Sequence, residues 1–226
     1  MKKAVILLSG GLDSTTLAAI AKQNHELYGL TFKYGQKHDI EISFAKKNAK
    51  IFNFKEHHLI ELNHQIFSSS SLVNKDIKVP KSNKNIINNK SIPSTYVPAR
   101  NIIFLSYAVS YAENIGAENI FIGVNMIDYS GYPDCRGEFI ESFENAVNLG
   151  IVKNIQIKTP LISLSKKEII SIGNKLGVDY SFSHSCYDPI SQDGKIFACG
   201  ICDSCILRLQ GFNENKIRDP YKYIES

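Results

Sequence analysis

The sequence predicts an α/β fold: a parallel sheet of about five strands with helices on both faces, followed by a small metal-binding segment. Three observations predict it. Short apolar runs alternate with helix-spaced patterns, and strand–helix–strand crossovers are right-handed and give parallel sheets. The first run, Ala4-Val5-Ile6-Leu7-Leu8, ends on two consecutive glycines in Ser9-Gly10-Gly11-Leu12-Asp13-Ser14. Near the other end, Cys186, Cys199, Cys202 and Cys205 fall close together. A chain of 226 residues can bury one good core with an appendage, read as residues 1–180 and 181–226.

After the glycines, Thr15 to Ala21 is helix-compatible, with Asp13 or Ser14 placed to cap it. His25 to Lys33 (HELYGLTFK) has the bulky and β-branched residues of a second strand. Tyr34-Gly35-Gln36 marks a turn. From His38 to Phe52, apolar Ile42, Ala45, Ala49 and Phe52 stand near helical spacing. His57 to Leu62 is a third strand. From Asn63 to Thr95 the texture changes, with four consecutive serines, six Asn and five Lys. That stretch is a long surface excursion, either a disordered insertion or a lid, and the lid is favoured because a nucleotide site needs water excluded.

Tyr96-Val97-Pro98-Ala99-Arg100-Asn101 opens an apolar helix running through Ala112, with Pro98 in its first turn. Arg100 there runs against the helix dipole, a local conflict that a phosphate-binding role explains. Asn119 to Val124 (NIFIGV) is a fourth strand, Glu138 to Leu149 an amphipathic helix, and Gln156 to Leu161 a short strand or edge. Ser165 to Leu176 is a helix ended by Gly177.

Two of the connections carry chemistry. Gly10 and Gly11 let the backbone approach a ligand, and the following helix directs its first N–H groups into the same space, which makes an anion site. The stretch lacks the lysine of G-x-x-x-x-G-K-[ST] and the third glycine of a dinucleotide fingerprint. Behind the fourth strand, Asn125, Asp128, Tyr129, Tyr132, Asp134 and Arg136 crowd together. Such a mixture of rings, carboxylates and amides suits a planar heterocycle with hydrogen-bonding edges.

Composition narrows the remaining classes. Hydrophobic residues at 43% and charged residues at 21% exclude a disordered chain. A formal charge of +4 neither requires nor excludes a nucleic-acid partner. No apolar run approaches membrane-spanning length, and the run after Met1-Lys2-Lys3 stops too early for a signal peptide, so a cytoplasmic protein is expected. The last four cysteines read C-x12-C-x2-C-x2-C, which suits closed tetrahedral zinc of structural role; an iron–sulfur cluster is the competitor. Cys135 is left over, and with no evident His base it reads as part of a pocket wall.

SGGLDS resembles the PP-loop signature of the ATP pyrophosphatase superfamily. With YVPARN, GVNMIDYSGYPDCR, SCY and ACGICDSC, the chain from residue 4 to about 212 resembles the 7-cyano-7-deazaguanine synthase family. Two departures stand out: Ala99, where many relatives have glycine, and the Asn- and Lys-rich stretch from Lys81 to Lys90. The resemblance implies a Rossmann-like fold of PP-loop type and an enzyme of queuosine biosynthesis. It would convert 7-carboxy-7-deazaguanine, ammonia and ATP into a nitrile through an activated carboxyl and an amide, with Mg2+ on the phosphates and Zn2+ on the cysteines.

By the same resemblance, ATP would lie along Leu8, Ser9, Gly10, Gly11, Leu12, Asp13, Ser14, Thr15, Thr16, Leu17 and Ala18. Asp13 and Arg100 would act in catalysis. Arg100, Asn101, Asp128, Tyr129, Tyr132 and Asp134 would hold the deazaguanine. A cradled pyrophosphate and the missing loop lysine favour adenylylation over attack at the γ-phosphorus, with two nucleotides used per nitrile. Free ammonia is the expected donor. No direct nucleic-acid contact and no membrane are expected, and a homodimer is compatible with the sequence without being indicated by it. The rivals are another PP-loop enzyme, such as a tRNA thiolase or lysidine synthetase, and a non-catalytic ATP-sensing module.

Overall fold

The computed structural model describes residues 1–81, 92–126 and 132–224. Strands β1 (Lys2–Leu7), β2 (His25–Lys33), β3 (Glu56–Glu61), β4 (Asn119–Phe121) and β5 (Gln156–Lys158) form one parallel sheet in the order β3-β2-β1-β4-β5. The order reverses beside β1, the central strand. Its residues alternate between two cores: Val5 and Leu7 pack on one side, Ala4, Ile6 and Leu8 on the other. That alternation is the period-two geometry of a strand buried on both faces.

Helices α1 (Leu12–Lys22), α2 (Glu41–Ile51) and α5 (Lys166–Lys175) cover one face, through Leu17, Ala18, Ala45, Ala49, Ile169 and Ile170. Helices α3 (Arg100–Ile115) and α4 (Gly137–Asn148) cover the other, through Leu105, Ala108, Val109, Ala112 and Ile140. The α/β class, the five parallel strands and the helices on both faces agree with the sequence. Helix boundaries shift: α3 starts at Arg100 with Ala99 as its N-cap, so Pro98 precedes the helix instead of lying in its first turn. Residues 38–40 form a turn, so α2 starts at Glu41, while its expected apolar residues Ile42, Ala45 and Ala49 are buried as their spacing requires.

The largest local difference lies at the start of α1. Gly11 is the N-cap and no side chain caps the helix. Ser14 sits in the first turn, where a helical side chain points back toward the N-terminus. Its Oγ accepts from Ser9 N at 3.2 Å and Gly10 N at 3.1 Å and donates to Gly11 O at 3.1 Å. Instead of capping the helix, Ser14 holds the preceding loop in shape.

The excursion after β3 is packed as far as it is described. Phe67, Leu72, Val73 and Val79 are buried in the core on the α3 side, and Lys81 bridges to Cys202 and pairs with Asp188 at 2.7 Å. The disordered reading therefore fails for 63–81, because four apolar anchors outweigh the polar composition. The most polar part, 82–91, lies outside the described residues.

After α5 the chain forms a hairpin, β6 (Ile190–Gln192) and β7 (Lys195–Phe197), and then α6 (Asp203–Glu214). None of the three is among the elements expected above. A Cβ at Gly211 would stand 2.7 Å from Lys166 Cγ and 2.9 Å from Ile170 Cδ1, so α6 is seated tightly on α5. Buried Arg208 of α6 grips Asp219 of the tail in two hydrogen bonds of 2.7 and 2.9 Å, and its remaining N–H groups go to Tyr180 O and Ser183. No helix among the described residues is long and apolar enough to cross a membrane.

Ala99, flagged above as a departure, is the N-cap of α3 and holds φ 54°, ψ 20°. A side chain in the left-handed region costs ~1–2 kcal/mol, which glycine avoids. Glycine also loosens the unfolded chain, by ~0.4–1 kcal/mol. Ala99→Gly should therefore stabilise the protein by a net ~0.5–1 kcal/mol, read as a higher urea midpoint at unchanged slope.

Candidate active site

The carboxyl ends of β1, β2 and β4 open into a cavity of about 230 Å³. Ligands of open parallel sheets bind at this edge, where the strand order reverses. Its floor is the loop after β1. Gly10 holds φ 89°, and a Cβ there would collide with Glu41 O and stand 2.6 Å from Ala45 N. Only glycine lets the loop lie against the first turn of α2. From the other side, His184 N donates to Gly10 O at 2.9 Å.

Leu8, Ser9, Gly11, Leu12, Asp13 and Ser14 line the cavity, together with Arg100, Asn101, Tyr132 and Cys135. Gly10 lies just beneath that lining. Thr15, Thr16, Leu17 and Ala18 turn away. Leu17 and Ala18 are fully buried in the core, Thr16 Oγ1 meets Tyr180 Oη at 2.8 Å, and Thr15 Oγ1 accepts from Asn48 at 3.0 Å. Asp128 and Tyr129 lie outside the described residues.

Asp134 stands behind the wall. Its Oδ2 accepts from Asn101 N at 3.0 Å, and Asn101 Nδ2 donates to Asp134 O at 3.1 Å. A carboxylate from a distant loop thus satisfies an orphan donor at the start of α3 and suits the positive helix end. Arg100 Nη1 donates to Tyr34 Oη at 3.2 Å, its one side-chain hydrogen bond among the described residues. Burial alone would depress this guanidinium, but Tyr34, Tyr132, Asp134 and Cys135 around it hold it above its ordinary range. A buried cation with so few partners is a ready site for an anion. Cys135 accepts from Asn101 Nδ2 at 3.4 Å, and burial pushes its thiol up to about 12, so it lines the wall as a thiol.

Several groups here escaped the sequence reading. Lys166 Nζ lies 2.6 and 2.9 Å from the two oxygens of Asp13, so the lysine missing from the loop arrives from the first turn of α5. The turn after β2 brings His38 and Glu41 to the cavity, with the Glu41 side chain 12% exposed. Burial pushes Glu41 up to about 8, against the pull of Arg100 and a hydrogen bond from Gln36; burial, then His184 and Arg100, push His38 down to about 3. Treating the end of β2 as part of the ligand edge, like that of β1, would have found both. Arg208 and His184 also line the cavity, on the late segment whose structure carried no readable signal.

That segment holds the cysteines. The sulfurs of Cys186, Cys199, Cys202 and Cys205 lie within 4.8 Å of one another and are all buried. Backbone amides point at them: Cys199 N to Cys186 Sγ at 3.2 Å, Cys202 N to Cys199 Sγ at 3.3 Å, Tyr187 N to Cys202 Sγ at 3.5 Å. Four converging sulfurs with N–H donors behind them suggest zinc, whose Zn–S bonds of about 2.3 Å put tetrahedral sulfurs roughly 3.8 Å apart.

Residues 3–216 match the family model described as "Queuosine biosynthesis protein QueC". The chain is 54% identical over 228 residues to a 7-cyano-7-deazaguanine synthase of Geobacter sp. (strain M21), covering 98% of each chain. The chain belongs to the QueC family. The synthase of that name from Citrifermentans bemidjiense is likewise 54% identical, with 98% of each chain covered. The one from Syntrophus aciditrophicus is 52% identical, covering 97% of this chain and 96% of its own. As a QueC protein, the chain is a 7-cyano-7-deazaguanine synthase of queuosine biosynthesis, an ATP-dependent ligase.

The Glu41 shift makes stability depend on pH. With a folded value near 8 against an ordinary 4.5, the neutral acid favours the fold. Its contribution is complete below 4.5 and is withdrawn as pH climbs through 8. Compared with Glu41→Gln, the wild type should lose melting temperature steadily across that window and hold a constant gap above it, which melting curves on both proteins would record.

Proposed function

We propose that this synthase acts on 7-carboxy-7-deazaguanine, free ammonia and ATP. The observation that carries this reading is one cavity lined by the glycine loop, Arg100, Asn101 and Tyr132, in a chain 54% identical to a named synthase. A carboxylate is a poor electrophile because oxide is a poor leaving group. Bonding one carboxyl oxygen to phosphorus makes it a good one, and ammonia then displaces it to give an amide. The second oxygen must leave the same way, so a nitrile consumes two nucleotides.

Roles follow from position. The loop from Leu8 to Ser14, with Gly10 beneath it, takes the pyrophosphate against the start of α1, while Thr15 to Ala18 shape it from behind. Lys166 adds positive charge at that end. Arg100, held in a desolvated wall, stabilises charge growing on the reacting phosphorus and carboxyl oxygens. Asn101 and Tyr132, with Asp128 and Tyr129, read the deazaguanine edges, and Asp134 acts by fixing Asn101. Asp13, whose oxygens meet Lys166, is the loop carboxylate that would turn to a magnesium ion entering with the phosphates, where the ion would neutralise phosphate charge. Adenylylation remains the preferred course. It rests on the glycine loop cradling an intact pyrophosphate, since Lys166 replaces the positive charge whose absence had argued against γ-transfer.

Mass spectrometry of the product, with phosphorus NMR of the nucleotides, tests the reading. Nitrile with AMP and pyrophosphate is expected; ADP and orthophosphate would overturn adenylylation alone, and no nitrile would overturn the substrate. Arg100→Ala should lower kcat/KM by ~100-fold or more. The four cysteines would hold zinc in a closed site that ties the late segment to the core. Elemental analysis should find one zinc per chain, and Cys202→Ser should lower folded yield more than the turnover of what survives. Iron with sulfide would displace zinc.

A further inference from the structure

Ammonia carries three N–H bonds and a nitrile keeps none. All three protons must leave nitrogen in a site that excludes water, so the site needs a base. Most candidates around the cavity are engaged. Asp13 has both oxygens on Lys166, at 2.6 and 2.9 Å. Asp134 is behind the wall, on Asn101. His184 uses Nδ1 on Tyr221 Oη at 2.8 Å and Nε2 on Cys186 O at 3.1 Å. Cys135 is held as a thiol.

Resting on the function proposed above, we propose that Glu41 takes the protons from nitrogen during nitrile formation, with His38 beside it. Glu41 Oε1 lies 3.4 Å from Gln36 Nε2 and 3.6 Å from His38 Nε2. The Gln36 amide is itself fixed, accepting from Tyr34 N at 2.8 Å and donating to Phe32 O at 3.0 Å. Oε2 makes no hydrogen bond among the described residues, and the side chain lines the cavity. His38 is 4% exposed, and its Nδ1 is a buried polar atom with no partner among the described residues. The groups facing this pair are Tyr34 and Asp39 from the turn after β2, Arg100 from α3, and His184 and Tyr187 from the cysteine segment. Arg100 keeps an ionised fraction of Glu41 available, and burial makes that fraction a stronger base than an ordinary carboxylate.

Each step balances without an oxidant or reductant. Ammonia bonds to the activated carboxyl carbon, the C–O bond to the nucleotide breaks, and one N–H proton passes to Glu41. The amide oxygen then bonds to the second phosphorus with loss of pyrophosphate, C=N forms, and a second proton leaves. Finally the C–O pair departs with the nucleotide, the last N–H proton leaves, and C≡N closes. Between steps Glu41 returns its proton to solvent or to the departing phosphate.

The amide serves as test substrate, because ammonia's own titration is then absent. For the wild type, the rate of nitrile formation should rise with pH and level off about a midpoint near 8. Glu41→Gln should lower the plateau at least 100-fold and abolish the rise, with calorimetric ATP affinity within threefold of wild type. A Glu41→Gln protein that keeps the wild-type rate or the pH-dependent rise would overturn the assignment. Where that variant does not fold, Glu41→Asp should keep a pH-dependent rise at a rate lower by tenfold or more, and an unchanged rate would overturn it equally. A wild type that makes no nitrile from carboxylate or amide would instead remove the proposed function.

Discussion

Gly10 is the point at which three parts of the molecule meet. Its missing Cβ admits the first turn of α2, its N–H goes to Ser14 Oγ, and its carbonyl accepts the amide of His184. Any side chain would push the loop off α2, and with it the spacing between the loop, Glu41 and the cysteine segment. The positive φ adds a backbone requirement to the steric one. A turn that reads as a ligand cradle is equally the joint holding the cavity's walls at fixed separations.

Charge in the cavity follows from what surrounds each group. Asp13 and Lys166 neutralise each other beside the loop. Among the described residues the buried Arg100 guanidinium has only a tyrosine hydroxyl as hydrogen-bond partner, and Glu41 shares the site as a carboxyl that burial keeps largely neutral. The site therefore holds a desolvated cation where an anionic substrate belongs, and desolvation makes its attraction stronger than at a surface. The strained backbone of Ala99 directly precedes that arginine. Strain and a desolvated charge at one place are what a site built for a ligand, rather than for stability, shows.

The sheet was legible because its signals are local and strong. Ala4 to Leu8 and His25 to Lys33 are apolar or β-branched runs that end on glycines, and C-x2-C-x2-C has few other physical readings. Legibility failed where function depends on long-range contact. No spacing tells that Lys166 of α5 meets Asp13, or that Asp134 serves α3 from another loop. Ser14 looked like a cap because serine near a helix start usually is one; its one-turn displacement into the helix reversed its role. The excursion after β3 looked polar by composition, yet Phe67, Leu72, Val73 and Val79 sufficed to pin it. Strands β6 and β7 are three residues each, too short for a periodicity to show, and α6 opens among the cysteines.

The clasp of His184 on Gly10, together with the Arg208–Asp219 pair, also sets an order of events during synthesis. Every strand of the main sheet has been made by Lys158, whereas the residues that lock the first loop follow it, at His184, Arg208 and Asp219. As the chain leaves the ribosome, the sheet can assemble first while its glycine turn waits, unlocked, for the far end. A truncated product would hold the sheet without a finished pocket. Emergence of the late segment is therefore what turns a folded scaffold into a site able to hold reactive phosphate.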